Sequence, residues 1–171
     1  MSVVDSMSLP VRDGAQGITE NQVINWLIDS QVFANLSAAD LRPFLQSVKI
    51  MNFKPMDEVI VKDRYSAALY IVIAGRFMVL RPDKSQVHPA TSPDQLLELD
   101  TFSKGHCFGE YSLIDRKPAS ASVVAAERSQ AIQIPRPAFE AALMADYRVA
   151  KTVYHNLLVL LTARLRSSLQ V

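Results

Sequence analysis

The sequence predicts a mainly β domain, built as a sandwich, a jelly roll or a barrel, with helices at both ends. Short apolar runs rich in β-branched residues recur between residues 49 and 134, and turn signals separate them. Strands repeated at such spacing are typical of all-β domains. Apolar residues at helical spacing precede and follow this region, which predicts the flanking helices.

Composition narrows the class of protein. The chain has 171 residues, the size of one domain, and 49% of them are hydrophobic, enough for a core. Its 18 basic residues nearly balance 17 acidic ones, which argues against a nucleic acid held by bulk charge. The single cysteine excludes an internal disulfide, and neither a signal peptide nor a membrane-length apolar run is visible. We therefore expect a cytoplasmic domain with no DNA and no membrane partner.

The amino-terminal part is expected to pass from a flexible tail into two helices. Residues 1–17 are rich in Ser, Pro, Asp and Gly without any period, which predicts the tail. Thr19 is a suitable N-cap for the apolar helical pattern that follows it. Ser37 and Asp40 have capping-box spacing, and we expect the second helix to run from there to Val48.

The apolar runs define the predicted strands. Their ranges are 48–55, 59–61, 69–73, 77–80, 96–99, 122–124 and 131–134. Residues 82–93 are polar and proline-rich and predict an exposed loop. These features place the β domain, with its amino-terminal helices, at 18–135.

Helices are predicted for 136–171, a short one at 139–144 and a long one at 147–169 that Asp146 caps. Apolar residues lie all around the long helix at spacings of three and four. We expect one side to pack on the β domain and the other on a second copy of the chain. The predicted dimer contacts are Tyr154, Leu158, Leu161 and Leu165.

Residues 105–123, which we call the cassette segment, read GHCFGEYSLIDRKPASASV and indicate a pocket for a small anion. Gly109 allows the backbone to approach a ligand, and Glu110 begins one predicted helical turn. Free backbone N–H groups at such a turn bind anions well.

Together with LYIVIAG at 69–75, the cassette segment resembles the cyclic nucleotide-binding domain of the catabolite activator protein family and of kinase regulatory subunits. The resemblance covers roughly residues 24–169 and implies an eight-stranded jelly-roll β-barrel with a phosphate-binding cassette and a long helix. It implies cAMP or cGMP as the ligand, with Glu110 accepting a hydrogen bond from the ribose 2′-hydroxyl. The ligand-binding residues implied are Phe108, Gly109, Glu110, Tyr111, Ser112, Ala119, Ser120 and Ala121.

The sequence departs from the family at the phosphate. Family members place an arginine directly after the cassette proline, whereas here Pro118 is followed by Ala119. Losing such a charge-assisted contact is expected to weaken binding roughly a hundredfold or more. Arg116 and Lys117 are open to two interpretations, as substitutes for the phosphate charge or as solvated loop residues. Asp57 and Arg64 also stand near positions where the family usually carries glycine.

Other chemistry finds little support in the sequence. The histidines are isolated, so no metal site is expected, and no catalytic motif occurs, so no enzyme is expected. Lys151, Arg164 and Arg166 are predicted to form a solvated face of the long helix. Its hydroxyls, Thr162, Ser167 and Ser168, either reach a purine or lie on the surface. The catabolite activator family's transcription factors carry a helix-turn-helix after the long helix, and we expect none here.

Two functions follow from these observations. The first is a stand-alone regulatory sensor that binds a cyclic nucleotide or a related phosphate ligand and signals through its carboxyl-terminal helix to a protein partner. The second is a ligand-free module that acts as a protein-interaction or dimerisation scaffold. Gly109, Glu110 and Ser120 favour the sensor, and Ala119 favours the scaffold.

Overall fold

The computed structural model describes residues 17–82 and 96–169. Within these ranges eight strands form two four-stranded antiparallel sheets. One sheet has the order β1-β8-β3-β6 and the other has the order β2-β7-β4-β5. The predicted tail, apart from Gly17, and the predicted loop at 82–93, apart from Pro82, lie outside the described residues.

The strands occupy the apolar runs that predicted them, with one short addition at β6. Their bounds are Lys49–Phe53 (β1), Glu58–Ile60 (β2), Ala68–Ala74 (β3), Phe77–Pro82 (β4), Leu96–Phe102 (β5), Cys107–Phe108 (β6), Ser122–Ala125 (β7) and Ser129–Pro135 (β8). The helices are Glu20–Ile28 (α1), Ala38–Leu41 (α2), Glu110–Asp115 (α3), Arg136–Ala145 (α4) and Tyr147–Ser168 (α5). Short 3₁₀ helices lie at Gln31–Phe33 and Arg42–Ser47.

The jelly-roll layout of strands and flanking helices is confirmed, but the two sheets do not close into the predicted barrel. Two of the edge strands are too short to bridge the sheets. β6 pairs with β3 through two residue pairs only, before the chain turns into α3. β2 has three residues and an irregular register against β7. The molecule is therefore a two-layer sandwich.

Two apolar cores lie on opposite faces of β3, which explains its continuous apolar run. Leu69, Ile71 and Ile73 point to the helices and pack in one core with α1, α4 and α5. Tyr70 and Val72 point between the sheets, into a second core that is rich in phenylalanine. The alternation follows the two-residue period of a strand.

The amino-terminal helices begin where their caps predicted. Thr19 accepts a hydrogen bond from the backbone N–H of Gln22, and the Ser37 side chain accepts one from Asp40. The second helix does not continue to Val48 as an α-helix but changes to 3₁₀ geometry at Arg42. Pro43 has no N–H to donate to the preceding turn, which accounts for the change.

The long helix α5 begins at the predicted cap, where the Asp146 side chain accepts from two backbone N–H groups. Its buried stripe consists of Val149, Val153, Leu157 and Leu160. The described residues after Leu160, which end at Leu169, are exposed, except for Leu161 and Arg164, which are half-buried. Among the described helices, none has the length and apolar character needed to cross a membrane.

Candidate ligand-binding site

Gly109 is the turning point of the cassette segment, between β6 and α3. Its φ of 86° lies in the left-handed region, where glycine is favoured. A Cβ atom here would also lie 2.5 Å from the carbonyl oxygen of Ala68. The close approach is therefore to strand β3, and it fixes where the predicted helical turn, α3, begins.

Glu110 is buried although it carries an ionisable carboxyl group. Its residue exposure is 1%, and its Oε1 accepts a hydrogen bond from Nη1 of Arg164. Its Oε2 has no hydrogen-bond partner among the described residues. Burial raises the pKa of Glu110, and the positive charge of Arg164 opposes that rise.

Arg164 reaches this carboxylate from α5. Its Nη2 donates to the carbonyl oxygen of Cys107 at 2.5 Å, and its guanidinium lies 4.5 Å from the centre of the Phe102 ring. The side chain is 17% exposed. The predicted solvated face is therefore wrong at this position. A charge among apolar residues was the available signal, because Val153, Leu157, Leu160 and Arg164 follow one another at helical spacing.

A column of aromatic rings continues inward from Arg164. The Phe102 and Phe108 rings are stacked at 5.7 Å, and Phe108 and Tyr70 are stacked at 5.0 Å. Stacked rings with a guanidinium at the end stabilise one another through their quadrupoles and through burial. This part of the space between the two sheets is filled by side chains.

Ala119 stands where the family places its arginine. It is 7% exposed and packs in the apolar core between the sheets. Its backbone N–H donates to the carbonyl oxygen of Arg64 at 2.9 Å, and its carbonyl oxygen accepts from Asp63 at 2.8 Å. The turn at residues 61–64 therefore holds this position on both sides and leaves an apolar wall there.

Arg116 and Lys117 are directed elsewhere by the contacts around them. The Arg116 side chain forms an ion pair with Glu140 of α4 at 3.1 Å and is 68% exposed. The backbone N–H of Lys117 donates to the Asp115 carboxylate. Neither residue lines the cavity described next, and their role as substitute phosphate charge stays a prediction.

A cavity of about 1000 Å³ lies between β5, the end of the cassette segment and α5. Of the predicted ligand-binding residues, Tyr111, Ser120 and Ala121 lie in its wall. The wall also contains the α5 hydroxyls Ser167 and Ser168 and the predicted dimer contact Leu165. Phe108, Gly109, Glu110, Ser112 and Ala119 do not line it. Two charged residues absent from the prediction, Asp100 and Arg164, do line it. Thr162 instead donates its hydroxyl to the carbonyl oxygen of Leu158.

This arrangement suits ligand binding. The wall combines apolar residues of β5 and α5 with hydroxyls, the held guanidinium of Arg164 and the carboxylate of Asp100, a mixture of apolar and polar groups that is usual in a small-molecule site. Within the described ranges, no three His, Cys, Asp or Glu side chains come together in a way that would hold a metal ion.

Comparison with known proteins agrees with the fold. A family profile described as "cyclic nucleotide-binding domain" matches residues 50–146. A solved cyclic nucleotide-binding domain from Methylobacillus flagellatus KT superposes with a TM-score of 0.73 at 22% identity, over 86% of this chain and 81% of that one. The catabolite activator protein of Thermus thermophilus superposes with a TM-score of 0.66 at 27% identity, over 81% of this chain and 60% of that one.

One curated relative is similar in sequence. A cGMP-dependent protein kinase from Plasmodium berghei (strain Anka) is 30% identical over 110 residues, which are 64% of this chain. The matched region is 11% of the kinase, so the chain corresponds to a small part of that protein. The sandwich, the cassette geometry and the profile over 50–146 together show that the chain belongs to the cyclic nucleotide-binding domain family.

Proposed function

We propose that this chain is a regulatory domain that binds a cyclic nucleotide, or a related phosphate-bearing ligand, between the cassette segment and α5. The observation that supports this most is the contact of Arg164 with Glu110. It joins the carboxylate that the family uses for the ribose to the carboxyl-terminal helix. A ligand that changes the hydrogen bonds of Glu110 therefore also changes those of the helix, and α5 would pass the bound state to a partner.

The size and wall of the cavity support a nucleotide-sized ligand. Its volume of about 1000 Å³ is at the upper end of the usual range for small-molecule sites. Ser120 and Ser167 offer hydroxyl groups in its wall, one from the cassette segment and one from α5. The curated relative is named for its dependence on cGMP, which makes cGMP a ligand to test beside cAMP.

A regulatory rather than enzymatic role is part of the proposal, because the family is defined by ligand binding. We also propose a homodimer through α5, a protein partner and a cytoplasmic location. The exposed apolar residues Tyr154, Leu158 and Leu165 support the first of these.

A ligand-free scaffold is the second candidate, and two contacts favour it. Ala119 is buried beneath the turn at 61–64, where a phosphate partner would be needed. One oxygen of Glu110 is already taken by Arg164. A module that keeps the family's fold without its ligand would retain such internal contacts.

Calorimetric titration with cAMP, cGMP and cyclic dinucleotides tests the proposal. We expect saturable binding that is weak for the family, because the arginine that would neutralise the phosphate is missing. Absence of heat with every one of these ligands at millimolar concentration would leave the scaffold as the better account.

The substitution Ala119→Arg asks whether the rest of the phosphate site is intact. If it is, the new guanidinium should tighten cyclic-nucleotide binding by about a hundredfold. Ala119→Met is the matched control, since it adds a long side chain without charge, and it should not tighten binding. Equal affinities for the two variants, both folded by circular dichroism, would mean that the turn at 61–64 has closed the site.

A further inference from the structure

We propose that the cavity takes a ligand of two linked nucleotides, with one nucleotide at the cassette segment and the base of the other beside the 3₁₀ helix Gln31–Phe33. This inference rests on the proposed function, because the first nucleotide occupies the site proposed above. It adds the size class of the ligand and a second set of contacts, at the end of the cavity that is remote from the cassette segment.

The cavity is long in one direction, along α5. Its wall includes residues on successive turns of that helix, at 155–156, 159–160, 163–165 and 167–168. At the usual rise of an α-helix, this wall is about 20 Å long. The purine, ribose and cyclic phosphate of one nucleotide span a shorter distance. A mononucleotide at the cassette segment therefore leaves the remote end of the cavity in water.

Polar side chains line this remote end, which we call the distal end. They are Gln31, Asn35, His106, His155 and Asn156. Hydrogen bonds join the segments that carry them. The backbone N–H of Gln31 donates to the carbonyl oxygen of Gly105 at 3.2 Å. Nδ2 of Asn156 donates to the carbonyl oxygens of Val32 and Ala34 at 3.1 and 2.8 Å. The distal end is thus held together by the protein's own contacts.

The side chains of the distal end have the chemistry that recognises a nucleobase. Gln31 and Asn35 carry carboxamides, which donate to and accept from the edge of a base. Nδ1 of His106 accepts from the backbone N–H of Ser103 at 3.3 Å, so the neutral ring carries its proton on Nε2 and can donate it. Imidazole rings also stack on bases. The carboxylate in the described wall is that of Asp100, on β5, and none lines the distal end.

The wall between the two ends suits the link between two nucleotides. Arg164 lies there and has N–H groups besides those that donate to Glu110 and to the carbonyl oxygen of Cys107. A phosphodiester is a favourable partner for such donors. Val159 and Leu160 add apolar surface beside it. A ligand of two linked nucleotides therefore meets polar groups at both ends and a cation between them.

Calorimetric titration compares ligands of one and two nucleotides. The dinucleotides are cyclic di-AMP, cyclic di-GMP and their linear forms pApA and pGpG. We expect at least one of them to bind about tenfold or more tightly than cAMP and cGMP, because the second base adds hydrogen bonds. Binding of cAMP or cGMP that no dinucleotide exceeds would overturn the inference and leave the proposed function standing. Binding of none of these ligands would remove the proposed function and the inference with it.

A variant of the distal end tests where the second base lies. We expect Gln31→Ala combined with His155→Ala to weaken dinucleotide binding about tenfold and to leave the affinity for cAMP and cGMP unchanged. Both side chains are exposed, so their truncation spares the core. Asn25→Ala is the matched control, because it removes an exposed carboxamide from α1 outside the cavity wall, and it should bind as the wild type does. A double variant that binds dinucleotides as the wild type does, or that loses mononucleotide affinity equally, would overturn the inference.

Discussion

Two separate features of the structure require glycine at position 109, a left-handed backbone conformation and a close contact with β3. Its φ is 86°, and a Cβ atom would lie 2.5 Å from the Ala68 carbonyl oxygen. Gly105 shares the first demand with a φ of 85°, but there the nearest atom is the Asp29 carbonyl oxygen at 3.2 Å. The two glycines therefore allow strain and crowding to be measured separately.

We expect Gly109→Ala to lower the free energy of unfolding more than Gly105→Ala does. The left-handed backbone should cost each variant about 1–2 kcal/mol. The clash with a strand carbonyl should add roughly 1–3 kcal/mol for Gly109→Ala alone. Urea denaturation measures both values, and equal losses in the two variants would mean that the Ala68 contact relaxes without cost.

The residues of the site differ in how far the sequence could place them. The motif predicts Gly109 and Glu110 because both lie in one short segment with a known order. Arg164 comes from another element, 54 residues away along the chain, and only its position in the buried stripe indicated that it points inward. Contacts between distant segments depend on packing, which no local pattern specifies.

At the scale of elements, Asp40 joins α2 to the start of α5. Its carboxylate accepts from the backbone N–H and the hydroxyl of Ser37, which completes the capping box of α2. It also forms an ion pair with Arg148 in the first turn of α5. The hydrogen bond from Arg148, followed by those from Ser37, holds the pKa of Asp40 well below its usual range.

Because its pKa is lowered in the folded protein, the contribution of Asp40 to the free energy of unfolding depends on pH. The unfolded chain binds the proton more tightly than the native state, so the stabilisation is complete above the ordinary aspartate pKa of about 3.9 and is lost as the pH falls towards the native value. We expect Asp40→Asn to have a lower urea midpoint than the wild type at pH 7. This gap, the difference between the two midpoints, should shrink below about pH 4. Glu58→Gln, at an exposed site on β2, is the control and should show no such gap. A gap that stays constant down to pH 2 would contradict the role of the ionised carboxylate.

The elements that the sequence missed are the short ones. β6 has two residues, and its pairing with β3 follows from the turn that brings Gly109 against Ala68. The change from α2 to a 3₁₀ helix at Arg42 was signalled by Pro43, but the extent of the effect depends on how Phe44 packs in the core. Long periodic segments such as α5 were predicted to within a residue of their ends because their pattern repeats over many turns.

At the scale of the whole molecule, α5 has two apolar faces, one buried against the domain and one exposed. One face, with Val153 and Leu157, is buried against the domain. The other carries Tyr154, Leu158 and Leu165, which are 48%, 65% and 59% exposed. Together with half-buried Leu161, these residues are spaced by four, three and four, the alternation of a two-helix seam. A second α5 would cover an apolar stripe that the monomer leaves in water.

We therefore expect the wild-type protein to sediment as a dimer and Leu158→Glu to sediment as a monomer. A carboxylate in the centre of the seam would be buried without a partner, a cost that a contact of this size cannot offset. Met144→Glu is the matched control, since Met144 is 87% exposed on α4, away from the seam, and its variant should remain dimeric. Sedimentation equilibrium over a range of concentrations decides between the outcomes. A Leu158→Glu variant that is still dimeric would place the dimer interface elsewhere, and a monomeric wild type would mean that no second copy binds. In either case, signalling through α5 would need a different partner.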